Sequence, residues 1–378
     1  MKILLISEFF PTGTNLKFSG GVEARNFYVA KNLSRNNEVT VLTSAVGDSL
    51  QRERIGRVSV VRVGPRRSYQ ATSGDLIDRI KFTLSAIKAG RNIPTQIVDG
   101  SNFITHFIAK RISQKNKVPS VAWYPDVWIG SWIKNAGIVG VLGEILERTN
   151  LKLGFDSYIA ISKSTADKLQ LYVDKRITVI HCGADLTEFK SKEGKYSRPT
   201  IICVSRLAKY KNVKDLILAF AYLKTKLKAG LIIVGSGPEK KSLENLAGKL
   251  KLKDEISFYS NLPRAQLVTL IKKSHMFSLP SSVEGFGIAT IEAAAAGLPY
   301  VVSDIDVFRE ITQNGRGGFL FKTGNINNLA QNLEKLITDK KLYDLKSKEA
   351  IALAKSYDWG KISYETEKLY REVIKRHE

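Results

Sequence analysis

The stretch SSVEGFGIATIEAAAAGLP, residues 281–299, decides the reading of this chain, because it sets two carboxylates, Glu284 and Glu292, around a Gly-x-Gly helix start. Met276–Leu279 reads as a short buried strand that Pro280 ends. The helix is expected to begin near Gly287 and to run into Ala293–Ala296, with Gly297 as its stop signal. The backbone N–H groups of Gly285, Phe286, Gly287 and Ile288, with the positive end of the helix dipole, suit a diphosphate or a hydroxyl-rich sugar. Glu284 stands at the mouth of this turn. Glu292, roughly a turn in and about 6–8 Å along the axis, is placed to accept hydrogen bonds from vicinal hydroxyls, as carboxylates do in ribose recognition.

A second signal lies upstream in SRLAKYKNVKDLILAFAYL, residues 205–223. A hydrophobic strand, Thr200–Val204, delivers Arg206, a short polar loop delivers Lys211, and a helix follows. Arginine offers a planar fork and lysine a mobile point charge, so the pair can hold a diphosphate and stabilise it as it leaves.

On these residues the chain resembles the retaining glycosyltransferases of sequence family four, which have the GT-B architecture. Their pattern is an arginine-leucine and a lysine in the first strand-helix unit of the second domain, then a glutamate, seven residues and another glutamate. Here these are Arg206-Leu207, Lys211, Glu284 and Glu292. Further matches are His181-Cys-Gly-Ala-Asp185 to an interdomain Asn-Gly-Val-Asp turn, Gly235-Ser-Gly-Pro238 to a Gly-x-Gly-Pro loop, Gly20-Gly21-Val-Glu23 to the first-domain glycine loop, and Asp358-Trp359 to the aromatic start of the last helix. The second domain matches densely; the first matches at its glycine loop and in general layout.

The resemblance implies a metal-independent, retaining hexosyltransferase of glycan biosynthesis. It would move a hexose from a UDP- or GDP-linked sugar to a lipid-linked or saccharide acceptor. Donor binding then falls to Gly20, Gly21, Gly235, Gly285, Phe286, Gly287, Ile288 and Glu292, and the chemistry to Glu284, Arg206, Lys211 and Asp126. One departure stands out. Many members follow the strand corresponding to Ser120–Trp123 with a histidine and an aspartate, whereas this chain has Pro125 before Asp126. Asp126 is the candidate to receive the acceptor's proton, with a helix cap after Val127 as its alternative. A nucleotide-sugar epimerase or hydrolase, or a non-catalytic nucleotide-sugar binding protein on the same scaffold, is the rival reading. The first would act on the donor alone; the second would need a damaged site, and here both glutamates and both cations are present.

Strands alternating with helical patterns in both halves predict an α/β protein with two Rossmann-like parallel-sheet domains facing a central cleft. The expected division is 1–190 for the acceptor, 191–358 for the donor, and 359–378 as a helix crossing back to the first domain. The boundary is expected in the charged stretch Lys190–Ser197. First-half strands are expected at Lys2–Ser7, Glu38–Thr43, Val58–Val63, Gln96–Val98, Ser120–Trp123, Ser157–Ala160 and Thr178–Ile180. A 378-residue chain with 43% hydrophobic residues can bury two cores.

The net charge is +23, from 59 Lys and Arg against 36 Asp and Glu, and two places stand out in its distribution. Residues 52–67 hold Arg52, Arg54, Arg57, Arg62, Arg66 and Arg67 against Glu53. Asp75–Arg91 reads as a basic amphipathic helix, with Leu76, Ile77, Ile80, Leu84 and Ile87 as its stripe. That helix, and the apolar segment Trp128–Leu146, can meet an anionic membrane or a phosphate-bearing acceptor, or simply pack on the first sheet. No nucleic-acid motif accompanies the charge, so no nucleic acid partner is expected. No segment has the apolar length of a membrane span and the start reads as a strand, so a cytoplasmic protein, peripheral at the inner membrane face, is expected. Cys182 and Cys203 read as packing residues. Asp304-Ile-Asp306 resembles a metal motif, but no metal or other cofactor is expected, since Arg206 and Lys211 supply the positive charge.

Overall fold

The computed structural model describes the chain except residues 14, 15, 19, 69–75, 134–136, 192, 225 and 226 and the Val139 side chain, so Asp75 and Lys192 lie outside the described residues. The chain divides into two compact units, Met1–Cys182 with Trp359–Glu378, and Gly183–Asp358.

Among the described residues of the first unit, eight strands form one sheet in the order β3-β4-β2-β1-β5-β6-β7-β8. They are β1 (Lys2–Ile6), β2 (Glu38–Val46), β3 (Arg52–Ile55), β4 (Val58–Arg67), β5 (Ile97–Gly100), β6 (Ser120–Tyr124), β7 (Ser157–Ala160) and β8 (Ile177–Val179). All pairs are parallel except β3 with β4. Helices α1 (Gly21–Leu33), α2 (Leu76–Gly90), α3 (Phe103–Asn116), α4 (Gly140–Leu151) and α5 (Lys163–Gln170) lie between the strands, and the last helix of the chain returns to pack on α1. There Tyr28 stacks on Trp359 at 5.4 Å and 9°.

Two features of this unit go beyond what the sequence settled. The basic stretch 52–67 is a β-hairpin whose buried arginines serve the fold. Arg62 Nε donates to Glu53 at 2.7 Å, and its other nitrogens donate to the carbonyls of Phe10 and Pro11 at 3.1 and 2.7 Å. Arg67 Nη2 reaches Glu8 Oε1 at 3.0 Å and its guanidinium lies over Phe9. Strand β3 (RERI) carries no apolar alternation; it is held by pairing with β4 and by the Glu53–Arg62 ion pair, so period-two reading passes it over. The arginines thus clamp residues 8–11, the chain leaving β1.

The second concerns α2, whose apolar stripe could face outward or pack on the sheet. It packs through Phe82, Ala86 and Gly90, whereas Leu76, Ile77, Ile80 and Leu84 are each more than half exposed. Gly90 explains the choice, since a Cβ there would sit 2.2 Å from the Ile112 side chain of α3. The small face allows close helix approach, and the larger stripe is left outside. On α4 and the turn before it, Ile133, Ile138, Leu142 and Ile145 are likewise more than half exposed. Among the described residues no helix is long and apolar enough to cross a membrane.

In the second unit β9 (Thr200–Val204), β10 (Gly230–Val234), β11 (Ile256–Tyr259), β12 (Met276–Leu279), β13 (Tyr300–Ser303) and β14 (Gly318–Phe321) form a parallel sheet, ordered β11-β10-β9-β12-β13-β14. Its helices are α6 (Val213–Lys224), α7 (Lys240–Lys249), α8 (Arg264–Lys273), α9 (Ile288–Ala295), α10 (Asp306–Ile311), α11 (Ile326–Thr338) and α12 (Lys340–Ala354), and α13 (Trp359–His377) closes the chain. Both cysteines are buried and free.

The change-over between units comes at Cys182/Gly183, ahead of the expected 190/191. The cause is local. Ala184 N–H donates to Tyr357 O at 2.8 Å, and Lys272 Nζ donates to Ser191 Oγ at 2.6 Å, so the segment is tied to the second unit before the charged stretch begins.

Candidate functional site

In the second unit β9 has β10 on one side and β12 on the other, so the sheet order reverses at β9, where open α/β sheets bind their ligands. The loops beyond β9 and β10 interlock. Leu207 N–H donates to Ser236 O at 2.8 Å and Glu239 N–H to Leu207 O at 2.9 Å. Gly235 is required by this contact, because a Cβ would lie 1.8 Å from the Ser205 carbonyl oxygen. Gly235→Ala is therefore expected to lower stability by about 1–3 kcal/mol or more and to separate the two loops. A thermal melt unchanged from wild type would remove this role.

The loop beyond β9 also joins that beyond β12. Ser282 donates to Tyr210 O through both its N–H, at 2.8 Å, and its Oγ, at 3.0 Å. This zipper brings Lys211, at the end of the 3-10 turn Lys209–Lys211, to Glu284: Nζ stands 2.6 Å from Oε1, and Ser281 Oγ donates to the same oxygen at 2.9 Å. Both side chains are largely buried. Arg206, two residues beyond β9, is exposed.

Helix α9 begins where the sequence placed it, after Gly287 at φ 83°. A Cβ at Gly287 would meet the Phe308 ring at 2.7 Å, so glycine is needed on two counts. Gly285, Phe286 and Ile288 flank it, but Phe286 is a core side chain, buried edge-on against Tyr357 at 5.7 Å. Any ligand therefore meets its backbone rather than its ring.

Glu292, one turn into α9, is buried and engaged. Arg264 Nη2 lies 2.7 Å from Glu292 Oε1 and 2.6 Å from Glu188 Oε2, while Arg264 Nε donates to Glu188 at 2.9 Å. Burial pushes the Glu292 carboxyl up, Arg264 opposes that, and Glu188 adds to the upward push. The sequence reading missed both partners. Glu188 stands only three residues beyond the recognised turn at Asp185, and Arg264 opens α8, but nothing local pairs positions so far apart.

Other predicted residues belong to the first unit. Gly20 caps α1 in extended conformation and Gly21 opens the helix. Asp126 lies beyond β6, buried, and accepts from Lys168 Nζ at 2.9 Å and from Val127 N–H at 2.8 Å; burial raises its carboxyl and Lys168 opposes. The segment after it is pinned by Glu147, which accepts from Trp128 N–H at 3.1 Å and Trp132 Nε1 at 2.6 Å and is pushed by burial up to about 7. Asp304 and Asp306 both pair with Arg309, at 2.6 and 3.5 Å.

Comparison with known proteins gives this geometry its context. Residues 185–352 match the family model described as Glycosyl transferases group 1, and residues 19–188 match that of Glycosyltransferase Family 4. The chain belongs to the group 1 glycosyltransferases of family four. Among the relatives of this family-four chain, N-acetyl-alpha-D-glucosaminyl L-malate synthase of Bacillus anthracis is 27% identical over 54% of the chain and 53% of its own length. GDP-mannose:cellobiosyl-diphosphopolyprenol alpha-mannosyltransferase of Komagataeibacter xylinus is 26% identical over 64% of the chain and 63% of its own length. The chain thus spans less than two thirds of the length of these two. In structure it is similar to sucrose-phosphate synthase from Thermosynechococcus elongatus, with a TM-score of 0.86 at 17% identity, covering 99% of both chains. An Anabaena protein solved in complex with UDP-glucose aligns with a TM-score of 0.74 at 18% identity over 98% of this chain and 100% of its own. These likenesses show the GT-B fold.

Proposed function

We propose that this chain transfers a hexose from a UDP- or GDP-linked sugar to a lipid-linked or saccharide acceptor, with retention and without a metal. The observation that carries the reading is the Lys211–Glu284 pair, 2.6 Å apart at the reversal of the second sheet and beside the start of α9. Lys211 and Arg206 take the diphosphate; Glu284 and the amides of Gly285, Phe286, Gly287 and Ile288 take the sugar hydroxyls; Glu292 takes the ribose. Gly20, Gly21 and Gly235 let backbone approach the donor. As the glycosidic bond breaks, charge grows on the diphosphate, and fixed cations there stabilise that charge more than they stabilise the bound donor. Asp126 is assigned the acceptor's proton. The names of the relatives support this reading, since one uses GDP-mannose and a polyprenyl-diphosphate acceptor.

A thermal-shift panel of nucleotide sugars identifies the donor, because a specific ligand raises apparent stability by mass action. Transfer is then measured with lipid-linked and soluble saccharide acceptors. Consumption of donor without any acceptor would turn the assignment to an epimerase or hydrolase.

The acceptor side of the proposal is a cytoplasmic enzyme attached peripherally to an anionic bilayer. Its support is the exposed apolar stripe of α2, flanked by Lys81 and Lys88, and the exposed apolar residues of α4. Ile80→Ser with Leu84→Ser is expected to weaken co-sedimentation with anionic vesicles by about tenfold or more, with little change in melting temperature. Unchanged vesicle binding would remove the stripe from the interaction.

A further inference from the structure

The buried guanidinium of Arg264 has no part in the roles assigned above, yet it is held between two carboxylates of the second unit. It is 8% exposed and bridges two carboxylates, Glu292 on α9 and Glu188 on the 3-10 turn Leu186–Phe189, with its Cζ 5.9 Å from the Phe189 ring. An isolated buried carboxylate neutralises itself by binding a proton. Arg264 and Glu188 are the charged groups that act on Glu292, with opposite signs.

Resting on the donor reading above, we propose that Arg264 is a positioning residue for nucleotide recognition: by bridging Glu292 to Glu188 it keeps the Glu292 carboxylate ionised and aimed at the ribose hydroxyls. The chemistry requires this. An ionised carboxylate offers only acceptors, matching two vicinal hydroxyl donors, whereas a protonated one spends an oxygen as a donor. A guanidinium fork holds two carboxylates in fixed directions at once; an ammonium is a point charge with no such geometry. Glu188 has a counteracting share, since its own charge works against ionisation of Glu292 once Arg264 is gone.

The test is calorimetric titration of the full chain with UDP and GDP, each beside its 2′,3′-dideoxy form, from pH 6 to pH 9. Wild type should prefer the ribose form of its nucleotide. Arg264→Met should bind that nucleotide about 10–100-fold more weakly at pH 7 and should lose the preference for ribose. Its affinity should recover as pH rises, because a carboxyl displaced upward ionises again at higher pH. Arg264→Lys should fall between the two, and Arg264→Met with Glu188→Gln should regain part of the lost affinity. A merely structural role would give losses that are flat with pH and unaffected by Glu188→Gln.

Ribose preference in Arg264→Met, or in Arg264→Lys should the first not fold, equal to that of wild type would overturn the proposal. If wild type binds a nucleotide without preferring ribose, the ribose role of Glu292 fails and takes the proposal with it. Binding of neither nucleotide by wild type would instead defeat the donor reading itself.

Discussion

Lys211→Ala is expected to lower turnover by about 10²–10³-fold, the range for removing one preorganised group that faces developing charge. On the proposed donor chemistry the loss should fall mainly on kcat, because a leaving diphosphate carries more charge in the transition state than in the bound donor. The geometry makes the effect specific. Lys211 Nζ is held 2.6 Å from Glu284 Oε1 and 5.0 Å from the Tyr210 ring centroid, so its position is set before any donor arrives. Preorganisation of this kind avoids reorganisation during the reaction. Lys211→Ala also leaves Glu284, whose side chain is 9% exposed, without its cation, and the variant should melt somewhat lower. Steady-state kinetics on folded protein separates the two effects. A folded Lys211→Ala enzyme with near-normal kcat would exclude Lys211 from bond breaking.

Arg25→Met is expected to destabilise the first unit by about 3–5 kcal/mol, the usual result of stripping one partner from a buried ion pair. Arg25 Nη2 lies 3.1 Å from Asp99 Oδ2, with both side chains essentially without solvent contact. Tyr370 O–H donates to the same carboxylate oxygen from α13, and the Arg25 guanidinium sits 4.8 Å over the Trp123 ring. Arg25 Nη1 also donates to Asn26 Oδ1 at 3.0 Å, and Asn26 Nδ2 donates to both Ser7 and Ser101 at 2.8 Å. One cation therefore joins α1, β5, β6 and α13. Without it Asp99 is a buried charge keeping only the tyrosine hydrogen bond. Tyr370→Phe, which removes only that hydrogen bond, should lower stability by about 1.5–3 kcal/mol. Arg25→Met with Asp99→Leu should recover much of the loss, because apolar replacement of a whole buried pair is often neutral. Thermal or urea unfolding measures all three. An Arg25→Met variant as stable as wild type would mean that packing alone holds α13 in place.

Helix α9 was legible because its signals are short-range. Pro280 after an apolar strand, a left-handed glycine at 287 and a second at 297 specify start and stop without any distant contact. The strands of the second sheet were legible as apolar runs between turns. Of the hairpin at 52–67 the strand from Val58 was legible, but β3 and the buried arginines were not, since Arg62 and Arg67 look like surface charge until Glu53 and Glu8 are brought to them. The stripe of α2 left two outcomes open, facing outward or packing on the sheet, and only the structure decides between them: two small residues, Ala86 and Gly90, permit closer packing on another face and leave the stripe exposed.

The sequence by itself determined that this is a two-sheet α/β chain with an acid, seven residues and an acid around a glycine helix start, because those features depend on neighbours a few residues apart. Only the tertiary structure decided which charges meet. Lys211 finds Glu284 because β9 and β12 are adjacent and the loops beyond them bond at Tyr210 and Ser282. Arg264 finds Glu188 across 76 residues of chain and Glu292 from the next strand-helix unit. Pairing over such separations follows from strand order and burial, where an unpartnered charge is too unfavourable to persist, and neither is written in a local pattern.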